Sequence, residues 1–205
     1  MTTSNSFTKR AGVLGVFLSE SEAQLCGDFL RARWISGSEA TIAPGVTLTG
    51  PDGYGQSGAL LIPPWRLNGA RSHMPGFRKM EQDAIERIKR LFGLDAILHS
   101  ARGEKHGPAT FSSSDFGWHQ DDEEARCIHL TASVKLTPDS PGDVTSKIAV
   151  AGARDTFEYG ALRGSAAIFF ACLSSSVVPP VPQQQDHLKM VFFFTLVTNP
   201  MNTSA

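Results

Sequence analysis

The sequence predicts an α+β domain, mainly β: a barrel or sandwich buttressed by helices. Three observations predict it. Helical periodicity is confined to the first half of the chain. After residue 94 the pattern changes to about eight short strands separated by turn residues. The length, 205 residues, suits one domain with a sizeable core, and no repeat or low-complexity linker divides it.

The elements follow in order. Residues 1–10 are polar and read as a flexible tail, leaving 11–205 as a single domain with helical support over 18–93 and a barrel core over 94–198. Ser19 and Glu22 form an S-x-x-E capping box, with Leu18 before it as a staple. Leu25, Cys26, Phe29 and Leu30 then recur at helical spacing to about Trp34. Residues 36–76 hold Pro44-Gly45, Pro51-Asp52-Gly53 and Pro63-Pro64, and read as loops with short strands such as Ala59–Ile62. A stretch this long suits a lid or binding loop. A second helix runs from about Gly76 to Phe92, with Phe77, Met80, Ala84, Ile88 and Leu91 as its buried stripe and Gly93 as its cap. The strands expected beyond it are Asp95–Ser100, Ala109–Phe111, Phe116–Asp121, Cys127–Leu136, Ser146–Val150, Thr156–Tyr159, Ala166–Cys172 and Met190–Thr198.

Composition narrows the function. Nineteen Lys+Arg against 20 Asp+Glu give a net charge of −1, so no basic excess points to nucleic acid. No apolar run is long enough to span a bilayer, and no signal-peptide pattern opens the chain. Cys26, Cys127 and Cys172 lack metal-type spacing and read as reduced thiols of a cytoplasmic protein. Ser174-Ser175-Ser176 lacks the G-x-S-x-G elbow of a hydrolase.

Trp118-His119-Gln120-Asp121 carries the most chemical information. Residues two apart on a strand point the same way, so His119 and Asp121 would project together. One imidazole and one carboxylate are two of the three protein ligands of a 2-His-1-carboxylate iron site. The bland reading is a surface histidine beside the acidic turn Asp122-Glu123-Glu124.

Beyond that motif come the alternating strand "TASVKLTP", then "RGSAAIFFA", then a closing "HLKMVFFF". Parts in this order resemble the iron(II)/2-oxoglutarate-dependent oxygenases, in particular the prolyl-4-hydroxylase-like branch, over roughly residues 95–197. The resemblance implies a double-stranded β-helix (a jelly-roll, cupin-like barrel) with two supporting helices. It also implies an oxygenase using Fe(II) and 2-oxoglutarate on a small-molecule or peptidyl substrate.

Two positions depart from the family's pattern. Ser176 stands where the resemblance implies the second iron histidine, and His187 where it implies the Arg or Lys that binds the far carboxylate of 2-oxoglutarate. Three explanations compete. His187 supplies the missing imidazole and Lys189, two residues on and on the same face, anchors the cosubstrate; or His119 and Asp121 hold the metal alone; or the barrel is a non-redox binding protein, isomerase, cyclase or pseudoenzyme. At His99, on the strand before the motif, the resemblance implies a polar side chain touching the cosubstrate, and the bland reading is a structural histidine. His129 reads as a structural histidine, and His73 and His106 as solvent-facing loop residues.

Overall fold

The computed structural model describes residues 12–34, 48–49, 58–106, 128–138, 147–150, 156–158, 162–171, 174–177 and 187–197. The tail 1–10 and the expected strands Ala109–Phe111 and Phe116–Asp121 lie outside them, as do Cys127 and Cys172.

The chain opens with β1 (Gly12–Val16) and α1 (Glu20–Trp34), then β2 (Leu48–Thr49) and β3 (Gly58–Ile62). A 3-10 turn, Pro64–Arg66, leads into α2 (Leu67–His73), then α3 (Phe77–Phe92). Seven more strands follow: β4 (Ala96–His106), β5 (Leu130–Lys135), β6 (Lys147–Val150), β7 (Thr156–Glu158), β8 (Ser165–Phe170), β9 (Ser174–Val177) and β10 (His187–Leu196). They form two antiparallel sheets. The larger has the order β1-β8-β5-β10-β4-β3-β2, with β10 in the middle, and the smaller has the order β7-β6-β9.

The helices cover one face of the large sheet. Cys26 and Leu30 of α1, and Phe77, Met80, Ala84 and Ile88 of α3, join Leu130, Ala132 and Val134 of β5 and Leu188, Met190, Phe192 and Phe194 of β10 in one apolar core. The Phe77 and Phe192 rings meet at 5.1 Å. The small sheet lies toward the other face. Ile148 of β6 packs on Ala167 and Phe169 of β8, with Leu14 of β1 at their edge.

Both predicted helices form where their caps place them. The Ser19 amide donates to Glu22 Oε2 at 2.9 Å and the Glu22 amide to Ser19 Oγ at 3.3 Å, which closes the capping box. Gly93 ends α3 in the left-handed region at φ 70°, its amide donating to the Lys89 carbonyl at 3.0 Å. Gly164 is constrained more tightly. Its φ is 85°, and a Cβ there would run into the carbonyl oxygen of Leu18.

Several expectations need correction. Residues 36–76 are not simply loops, since α2 occupies 67–73 and makes a third helix. Its sequence, LNGARSH, has poor helix formers and no side-chain cap. Tertiary contact holds it instead: Arg71 binds Glu81 of α3 through Nη2 and Nε at 2.5 and 2.7 Å. Leu91 lies outside the buried stripe and is exposed, while Glu81, paired with Arg71, is buried. Strands β1 and β9 were not expected, and β4 runs six residues beyond Ser100. His73 ends α2 and His106 ends β4, so neither belongs to a loop.

Candidate functional site: a buried charged row across three strands

Strand β10 is buried through Phe194. Its period-2 alternation sends Leu188, Met190, Phe192 and Phe194 into the helix-covered core. His187, Lys189, Val191 and Phe193 share the opposite face. His187 and Lys189 are 7% and 4% exposed.

The register of the large sheet assembles charges around Lys189. Its cross-strand partner on β5 is Lys135, and on β4 it is Glu104. One row therefore reads Lys135, Lys189, Glu104 across three strands. Lys189 Nζ lies 2.8 Å from Glu104 Oε2. Arg102, two residues before Glu104 on the same face, places Nε 2.5 Å from Glu104 Oε1 and its guanidinium carbon 5.3 Å from the Phe193 ring centroid. Lys135 is fully buried. Three cationic side chains thus share this face with one carboxylate among the described residues. Burying charge is costly, and like charges directly opposite on a sheet repel.

A second observation points to a ligand. Thr131 lies on the same face of β5 as Ser133 and Lys135. It is fully buried, and its Oγ1 has no hydrogen-bond partner among the described residues. A buried unsatisfied hydroxyl costs about 1–3 kcal/mol, so a polar group supplied from outside stabilises it.

The remaining predicted positions are spread differently. His99 sits on β4 where the β4–β10 register shifts, with Nδ1 3.2 Å from Ser100 Oγ. Ser176 is on β9 in the small sheet, as the cross-strand partner of Ile148. His129 precedes β5 and is exposed, its Nδ1 accepting from the Leu196 amide at 3.4 Å. His119 and Asp121 lie outside the described residues. Among the described residues no three His, Cys, Asp or Glu side chains gather in a metal-binding group. Cys26 is an inert thiol, its pKa pushed up to about 12 by burial in the core.

Sequence reasoning singled out Lys189 but missed Lys135, Glu104, Arg102 and Thr131. A signal was present. Thr131, Ser133 and Lys135 alternate with Leu130, Ala132, Val134 and Leu136, and Arg102 and Glu104 alternate with Ala101 and Gly103. That pattern marks a polar face without saying whether water or a second sheet covers it.

No helix among the described residues is long and apolar enough to cross a membrane. No family model and no curated protein matches the chain by sequence. Solved structures do match it. A prolyl-4-hydroxylase from Pseudomonas putida superposes with a TM-score of 0.60 at 14% identity, over 92% of this chain and 94% of its own. A prolyl hydroxylase from Trichoplax adhaerens, in complex with a hypoxia-inducible-factor peptide, gives 0.60 at 11%, over 90% and 83%. The non-heme α-ketoglutarate-dependent carbocyclase SnoK of nogalamycin biosynthesis gives 0.61 at 13%, over 95% and 84%. The charged row of β4, β10 and β5 is therefore built on the fold that prolyl hydroxylases share with other 2-oxoglutarate-dependent oxygenases.

Proposed function

We propose that this chain is an iron(II)- and 2-oxoglutarate-dependent oxygenase with an atypical ligand set, acting on a small-molecule or peptidyl substrate. The observation that carries the reading is the buried row of Lys135 and Lys189, on a fold shared with 2-oxoglutarate-dependent enzymes. 2-Oxoglutarate is a dianion. Two buried lysines side by side on neighbouring strands suit its far carboxylate. The fold relatives span a peptide-bound hydroxylase and a carbocyclase, and both substrate classes stay within the proposal.

The residues divide the work. Lys189, with Lys135 beside it, anchors the cosubstrate carboxylate. Thr131 Oγ1 offers one further polar contact. His99 lies farther along β4, at the shift in register with β10. His187, buried at the start of β10, joins His119 and Asp121 as metal ligands. Ser176 contributes no nitrogen and so cannot replace an imidazole. Iron held by such a set supplies oxidation of a C–H bond by dioxygen, coupled to conversion of 2-oxoglutarate to succinate and carbon dioxide. Burial of Lys135, Lys189 and Glu104 keeps water from the row.

The test is an anaerobic titration with Fe(II), then 2-oxoglutarate, followed by visible absorption. The expected result is a charge-transfer band that needs both additions, is lost in His119→Ala and His187→Ala, and survives in Ser176→Ala. No metal binding and no band in the wild type would overturn the oxygenase reading and favour a metal-free barrel.

A further inference from the structure

We infer that Glu104 is a built-in competitor for the cosubstrate: an internal carboxylate that occupies Lys189 and must be displaced before a dicarboxylate ligand binds. The inference rests on the proposed anion site and concerns its selectivity. The Glu104 side chain ends in –CH2–CH2–COO⁻, the same group as the far end of 2-oxoglutarate. Both of its oxygens are engaged, Oε2 by Lys189 Nζ at 2.8 Å and Oε1 by Arg102 Nε at 2.5 Å. The side chains of Glu104 and Lys189 are 8% and 5% exposed, so water screens the pair little.

The placement follows from the register. Glu104 faces Lys189 from β4 while Lys135 faces it from β5. An incoming carboxylate that pairs with Lys189 comes close to the Glu104 carboxylate. Two carboxylates sharing one site repel. Binding therefore requires Glu104 to release Lys189 while Arg102 still lies against it, and it favours ligands with a carboxylate strong enough to complete that exchange. Glu104 is in this sense a specificity-determining residue, not a catalytic one.

The experiment is calorimetric titration of the Fe(II)-loaded protein under anaerobic conditions, with 2-oxoglutarate and with 2-oxobutyrate, which lacks the far carboxylate. The proteins are wild type, Glu104→Gln and Glu104→Met, each checked by thermal unfolding. Both variants are expected to bind 2-oxoglutarate at least about tenfold more tightly than the wild type, with 2-oxobutyrate changed less than about threefold. Equal or weaker 2-oxoglutarate binding by folded variants overturns the inference and leaves the oxygenase reading standing. Variants that fail to fold would make Glu104 a structural residue and also overturn it. If neither ligand binds to any of the three proteins, the oxygenase reading falls and takes this inference with it.

Discussion

The two faces of β10 are built for different purposes. Toward the helices it presents Leu188, Met190, Phe192 and Phe194, all fully buried among apolar side chains. Toward the small sheet the same strand presents His187, Lys189, Val191 and Phe193, the first two buried with polar neighbours. An apolar face of this kind holds the sheet to its helices, with each large side chain stabilising by about 1.5–3 kcal/mol on burial. The other face spends part of that gain on buried charge. A fold needing only stability would fill Lys135, Lys189 and Glu104 with aliphatic side chains. The contrast argues that the charged row is kept for a ligand.

Substitutions on the two faces test the contrast. The largest effect is expected from Phe192→Ala, which empties a closely packed site against Phe77 and should cost about 3–5 kcal/mol in chemical denaturation. Phe193→Ala, on the face shared with Arg102, should cost clearly less. Equal losses would mean that both faces are packed for stability. Next comes Lys189→Ala. It takes Lys189 Nζ away from the buried Glu104 carboxylate, and should destabilise by about 2–4 kcal/mol in the same assay. A loss under about 0.5 kcal/mol would show that the pair is solvated and not part of a closed face.

The smallest effect belongs to the periphery. Hydrogen bonds from Lys79 and then Ser19 hold the Glu22 carboxyl down to about 2. A lowered carboxylate stabilises the fold above its unfolded value near 4.5, and that contribution is lost as pH falls toward 2. Glu22→Gln should cost under about 1 kcal/mol at neutral pH and flatten the acid limb of the stability curve between those values. An unchanged acid limb would remove Glu22 from the account.

These differences also explain what was legible in the sequence. The capping box, the α3 stripe and the Gly93 cap are local signals, and the structure uses them where they stand. The elements β1, β9 and α2 depend on partners far away in the chain. The β1 sequence GVLGV has two glycines, and its strand exists through pairing with β8. Arg87 lies over Gly15 so closely that a Cβ there would collide with it. Helix α2 depends on the Arg71–Glu81 pair. At the candidate site, alternation put Lys189 on one face with His187, and the resemblance gave it a role to propose. Its neighbours Lys135 and Glu104 were not readable, because strand order and register bring them together and neither is written locally. The ligand roles of His119, Asp121 and His187 are proposals drawn from residue type and order.

The most direct test of the central claim, that the charged face serves a ligand and not the fold, is the double variant Lys189→Met/Glu104→Met. Its thermal stability and its calorimetric affinity for 2-oxoglutarate would be measured on the same Fe(II)-loaded preparation. The account predicts a folded protein as stable as the wild type or more so, since removing a buried pair together is neutral or stabilising by about 1–4 kcal/mol, and at least about a tenfold loss of 2-oxoglutarate binding. A double variant that unfolds, or one that binds 2-oxoglutarate as the wild type does, would contradict it.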